Sequence, residues 1–216
     1  MTNALNPHWE IKTAMVSVVD GNRAGTQKRF KGAKMVRLAE PPLTAMSDEQ
    51  KQVVEAIVAR MGRLGGPYPA MIHSPKLTDL AQQMGKFIRG ETCLPQRLTE
   101  LAIVIIGRLW TDQVEWYAHA PLARKAGLDD GILQAIARRE TPEFVNGDEK
   151  IVYEFAMELN ENKKISDVTY AAAIKMFGAQ GVVELVGLLG FYTLVAMTLN
   201  TFELMPPDGA EGLLPE

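Results

Sequence analysis

Glu100, Asp112, Glu115 and His119 set three carboxylates and one of only three histidines in one short stretch, with Trp116 among them. Imidazole is the side chain that changes charge nearest neutral pH, so His119 is the first residue to weigh as a proton carrier. Residues four apart share a helix face, which puts Glu115 beside His119, able to orient its ring. Glu100 lies upstream among Leu101, Ile103 and Val104. A carboxyl group buried there has its pKa raised and becomes a general acid. The chemistry these types allow is acid–base catalysis on a small molecule. Arg97 adds a planar fork suited to a substrate carboxylate. Trp116, Tyr192 and His73, the last at a loop-to-helix junction, complete the residues expected around a substrate; Tyr117 and Tyr192 are also candidate proton donors.

Each group has a structural alternative. Glu115 stands three residues after Asp112, the spacing of a capping box, in which its carboxylate turns back to the Asp112 N–H. Glu100 stands three after Arg97, a spacing that makes a surface ion pair. His119 shares a face with Trp116, Ala120 and Ala123, where a hydrogen-bonded imidazole can simply be part of the core. If Glu100, Glu115 and His119 converge on one point, carboxylate and imidazole would suit a divalent ion.

These residues need two consecutive helices to position them. Pro95 fits a first helical position, and Leu98, Leu101, Ala102, Ile105, Ile106 and Leu109 then form an apolar stripe. Asp112 opens the second helix, which ends at Gly127. Upstream, Ser47 and Gln50 cap a helix whose apolar positions run from Val53 to Met61 before Gly62. A loop from Pro67 to His73 leads to Ser74-Pro75, the expected start of a helix burying Leu77, Leu80, Ala81, Met84, Phe87 and Ile88. Downstream, Asp129, Ile151 and Ser166 mark three more helices. Gly178 ends the third, and a last long helix spans roughly Ala179 to Leu204. The fold class is all-α.

The order Glu100, Asp112, Glu115, His119 resembles the AhpD-like, carboxymuconolactone decarboxylase superfamily. Its peroxidase members carry a glutamate, two cysteines three apart, and a histidine four further on; here Asp112 and Glu115 stand at the cysteine positions. The run Glu115-Trp116-Tyr117-Ala118-His119, with Ala123 and Gly127 after it, is similar to the decarboxylase branch. The likeness is strongest over 94–130 and extends loosely over about 45–205. It implies an AhpD-like helical bundle assembled as a homotrimer or homohexamer. It also implies a cofactor-free lyase, with no metal, that decarboxylates a small γ-carboxy-lactone in aromatic-compound breakdown. His119 would then shuttle the proton, held by Glu115, with Glu100 as a second acid or base. An AhpD-type thiol peroxidase needs a thiolate and a resolving thiol, and is not expected. A metal-binding or non-catalytic oligomer is the remaining alternative.

The whole chain is consistent with one such domain. Its 216 residues are 47% hydrophobic, enough for a substantial core, and a net charge of −3 gives no global pull toward nucleic acid or an anionic membrane. The single cysteine, Cys93, excludes an intrachain disulfide framework and fits a reducing cytoplasm. No secretory signal pattern is visible, and the apolar run from Leu185 to Leu199 is too short and too glycine-broken to span a bilayer. Residues 1–46 form an expected N-terminal arm, with a short strand at Met15–Val19 and a basic cluster of Lys28, Arg29, Lys31 and Lys34 around Phe30. That cluster is expected to be solvated or packed on a neighbouring subunit, with nucleic-acid contact the alternative. Residues 47–205 are the helical domain and 206–216 a C-terminal tail.

Overall fold

A helix that is apolar on every side has to be surrounded, and Gln96–Leu109 is such a helix: every residue from Leu98 to Arg108 is buried. In the computed structural model, which describes residues 36–215, the other helices pack around this one. They are α1 (Asp48–Met61), α2 (Tyr68–Met71), α3 (Pro75–Gly90), α4 (Gln96–Leu109), α5 (Gln113–Lys125), α6 (Asp130–Ala137), α7 (Gly147–Asn162) and α8 (Asp167–Phe202). Central α4 packs chiefly against α5, α8 and α7. The described residues cluster as one unit, and no strand occurs among them. The strand expected at Met15–Val19 and the basic cluster around Phe30 lie outside the described residues.

Local signals set most helix ends. Ser47 and Gln50 make the reciprocal capping box that opens α1, and Gly62 closes it at φ 76°. Ser166 accepts from the Thr169 N–H at the start of α8. Gly178, at φ 67° and ψ 177°, breaks α8 into two segments, as the glycine signal predicts. Beyond it, Val182, Leu185, Leu189, Tyr192, Ala196 and Leu199 recur at helical spacing and are buried against the core. By length and composition alone α8 would cross a membrane, but half of its most apolar window is buried inside the fold.

Several expectations need correction. Pro95 sits one residue before α4 in extended geometry (φ −55°, ψ 142°), not at its first helical position. Ser74 makes no side-chain cap; instead the Thr78 hydroxyl donates to the carbonyls of Met71 and Ser74 at 2.6 and 2.9 Å. The supposed loop from Pro67 contains the one-turn helix α2. In α3 the buried side is not the large apolar stripe. Thr78, Ala81, Gly85 and Ile88 face inward, while Leu77, Leu80, Met84 and Phe87 are exposed. Small residues let this helix approach its neighbours closely, and the large ones are turned outward as a result. Met84 and Phe87 share a surface groove with Val183 of α8.

The segment after α8 is not a loose tail. Gln113 donates to the Leu214 carbonyl at 3.0 Å and accepts from its N–H at 2.8 Å, and the Leu214 side chain is buried. At the other end, the Arg37 N–H donates to the Phe202 carbonyl at 3.0 Å. The segment that follows α8, Leu204, Met205, Pro206 and Pro207, lines the cavity described below.

Candidate active site

The turn between α4 and α5 places the site. Thr111 takes a left-handed conformation (φ 49°), and Asp112 follows as the N-cap of α5. One oxygen of Asp112 accepts from the N–H groups of Val114 and Glu115 at 2.9 and 3.0 Å. The Asp112 N–H, however, donates to the Gly107 carbonyl at 2.8 Å. With that donor taken, Glu115 does not close a capping box. Its carboxylate turns inward along the buried face that also carries Trp116, His119, Ala120 and Ala123.

His119 is held through Nδ1 and faces Glu115 through Nε2. Its Nδ1–H donates to Glu100 Oε2 of α4 at 2.7 Å, and its Nε2 lies 3.5 Å from Glu115 Oε2. The second Glu100 oxygen accepts from Gln96 Nε2 at 2.7 Å. Glu100, accepting on both oxygens, fixes the tautomer and leaves Nε2 as the nitrogen that exchanges a proton. Arg97 is not its partner: the guanidinium pairs with Asp148 and Glu149 of α7.

Burial without compensation sets the proton affinities. Glu115 Oε2 is buried with no hydrogen-bond partner, and desolvation pushes this carboxyl above the usual carboxylate range. Burial alone would lower His119, but the hydrogen bond to Glu100 and the charges of Glu115 and Glu100 outweigh it, and the net direction is upward. Both groups hold a proton more tightly than usual, and at 3.5 Å they are close enough for their titrations to be coupled. Asp112, whose second oxygen is also buried and unpartnered, is pushed up to about 7 by burial.

Helix α8 supplies the third wall. Tyr192 meets the His119 ring edge-on, with centroids 5.3 Å apart and planes at 87°. Burial pushes its phenol above the ordinary value, so the hydroxyl stays protonated. That hydroxyl accepts from Arg89 Nη1 of α3 at 3.4 Å. Glu115, His119, Tyr192, Arg89 and Tyr68 line a cavity of about 510 Å³ whose remaining walls are largely apolar, including Met61, Phe191 and Val195. This volume suits a small organic molecule.

The geometry sorts the residues singled out from the sequence. Glu100, Glu115, His119 and Tyr192 come together. Trp116 packs in the core behind the cavity. Arg97 is committed to α7, and His73 donates through Nε2 to the Ala39 carbonyl at 2.9 Å; neither lines the cavity. Glu100 and Glu115 bracket the imidazole on opposite nitrogens, so the trio has no common point for one ion. Among the described residues no group of three His, Cys, Asp or Glu side chains is placed to hold a metal. Cys93 is exposed in the α3–α4 connection, and its hydrogen bond with Glu184 pushes the thiol above its ordinary value. The sequence reading missed Arg89 and Tyr68. The signal for Arg89 was slight: a glycine four residues earlier on the same helix.

Two solved structures share this architecture. One, from Ralstonia eutropha JMP134, is described as an alkylhydroperoxidase AhpD core and an uncharacterized peroxidase-related protein. It matches with a TM-score of 0.68 at 14% identity, over 82% of this chain and 95% of its own. The other, an uncharacterized peroxidase-related protein from Silicibacter sp. TM1040, matches with a TM-score of 0.67 at 14% identity, over 87% of this chain and all of its own. At this identity the likeness establishes the fold, an all-α AhpD-like helical arrangement, and function has to be argued from the site. No protein-family model and no curated protein matches the sequence.

Proposed function

We propose that this chain is a cofactor-free acid–base enzyme acting on a small carboxylated ring or lactone, and that its reaction is decarboxylation. The observation that carries the reading is the fixed His119. Glu100 holds one nitrogen at 2.7 Å, and the other faces a buried, proton-retaining Glu115 at the wall of the cavity. That arrangement has the parts of a proton donor and lacks those of a thiol nucleophile, because the one cysteine stands outside the cavity.

The step follows from where charge goes. The bond between the ring carbon and its carboxylate breaks, CO₂ leaves, and the electron pair spreads into the conjugated lactone carbonyl. The Tyr192 hydroxyl, kept protonated by burial at the wall of the cavity, is a donor for the oxygen that gains charge. A proton held by the Glu115–His119 pair then moves to carbon, giving R–H and CO₂ from R–CO₂⁻ and one proton. Solvent reprotonates the pair.

An unsaturated γ-carboxy-lactone incubated with the protein in D₂O should release CO₂ and return a product that has taken up one deuterium on the ring, at the α-carbon or at the former carboxyl-bearing carbon, the two carbons of the dienolate that share the electron pair. No CO₂ release across such lactones, at protein concentrations that saturate binding, would overturn the decarboxylase reading. We also propose that the exposed apolar residues of α3 and α8 mediate self-association. A monomer by light scattering at micromolar concentration would refute that.

A further inference from the structure

We propose that Arg89 is the anion anchor of the cavity: its guanidinium, folded back over Gly85, binds a carboxylate that the substrate keeps through the reaction. The inference rests on reading this cavity as a substrate site.

Side chains on a helix lean toward its N-terminus, so Arg89 lies over the residue four positions earlier, Gly85. A Cβ at Gly85 would stand 3.1 Å from both Nη1 and Nη2, and the same distance from Phe191 Cζ. Glycine therefore leaves the slot in which the guanidinium lies. Tyr192 accepts from Nη1 at 3.4 Å, Tyr68 approaches from α2, and Nη2 is buried with no hydrogen-bond partner. Among the described residues no carboxylate lies within 4.0 Å of Arg89; Arg97, by contrast, has two. A guanidinium with a buried, unpaired N–H is costly unless something completes it. A planar carboxylate matches its fork.

Glu115 lines the same cavity, but its buried Oε2 makes no hydrogen bond to Arg89 or to any other group. Tyr192 touches both sites, its hydroxyl at Arg89 and its ring edge at His119. The anchor and the proton pair thus lie about one aromatic ring apart, which selects a compact ligand. A cation clamped on the carboxylate that is lost would hold the ground state better than the transition state, from which that charge has drained. The carboxylate at Arg89 is accordingly a retained one, and the substrate class is a small ring carrying a second acidic group.

The test uses β-carboxy-γ-butyrolactone, whose single carboxylate stands off the γ-carbon and mimics a retained acidic group, and its uncharged methyl ester, titrated calorimetrically into the intact protein; being saturated and lacking the γ-carboxyl, neither can react. The carboxylate should bind at least about 10-fold more tightly than the ester, as expected when a charged hydrogen bond is formed. Arg89→Met should erase that preference, and Arg89→Lys should restore part of it. Gly85→Ala, which displaces the guanidinium without removing it, should weaken the carboxylate and spare the ester. His119→Ala should bind the carboxylate as the unaltered protein does, so loss of turnover with retained binding bears on the acid–base reading alone. Equal binding of acid and ester, or full carboxylate affinity in a folded Arg89→Met protein, would overturn the anchor.

Discussion

The Nδ1 of His119 and Oε2 of Glu100 lie 2.7 Å apart, joining the buried face of α5 to the most enclosed helix of the fold. Glu100 is 1% exposed, and it directs all of the exchangeable basicity of the imidazole to Nε2, toward Glu115 and the cavity. Glu100→Gln should keep the ring in place while weakening its hold on a proton. Turnover should fall and its pH optimum should move to lower pH, because the charge that raises His119 is gone. An unchanged pH profile would contradict this role.

His119 and Glu115 form one proton-holding unit and should not act additively. His119→Ala is expected to cost about 10²–10⁴ in turnover, the usual worth of a positioned acid or base. Glu115→Gln should cost less alone and almost nothing further in the His119→Ala background. Additive losses in the double variant would mean that the two act on separate steps.

Cys93→Ser should leave turnover and folding unchanged, since the thiol is exposed and held protonated by Glu184. The protein should not consume hydroperoxide with a dithiol reductant. Hydroperoxide turnover that disappears on alkylation of Cys93 would replace the acid–base reading with thiol chemistry.

What could be read from the sequence was what local chemistry decides. The apolar α4, the Ser47–Gln50 box and the Gly178 break each depend on residues within a few positions of one another. Glu115 was ambiguous for a physical reason: a capping box and an inward-turned carboxylate have the same spacing. The outcome turned on Gly107, whose carbonyl takes the Asp112 N–H. Arg97 was the nearest guanidinium in sequence to Glu100, but Asp148 and Glu149 claim it from α7. Arg89 replaces it at the cavity only because α3 packs beside α8, a contact that no local spacing encodes. The large residues of α3 misled in the same way, since their apolar spacing fits burial and the fold buries the small ones.

Gly178 gives a stability prediction free of contacts. Its φ of 67° with ψ of 177° belongs to a region essentially restricted to glycine, and a Cβ there would meet nothing within 4 Å. Gly178→Ala should therefore destabilise by about 1–3 kcal/mol through backbone strain alone. Denaturant melts with an unchanged slope and a lowered midpoint would register it. A neutral effect would mean that α8 can straighten through this point.

Asp112 makes stability depend on pH in a direction opposite to that of a salt-bridged carboxylate. Burial raises it from 3.8 to about 7 in the folded protein. Between those values the native state keeps a proton that the unfolded chain has released, so stability falls as pH rises through this window and is lowest above it. At 1.36 kcal/mol per pKa unit the full loss is about 4 kcal/mol. Asp112→Asn removes the titration while keeping an oxygen for the Val114 and Glu115 N–H groups, since asparagine caps about as well as aspartate. The variant should match the unaltered protein near pH 4 and exceed it increasingly up to pH 8. Glu115 and His119, both raised, lose stability in the same direction in either protein, so the difference between the two melting curves is what isolates Asp112. Parallel curves across pH 4 to 8 would show that water or a partner already relieves its buried oxygen.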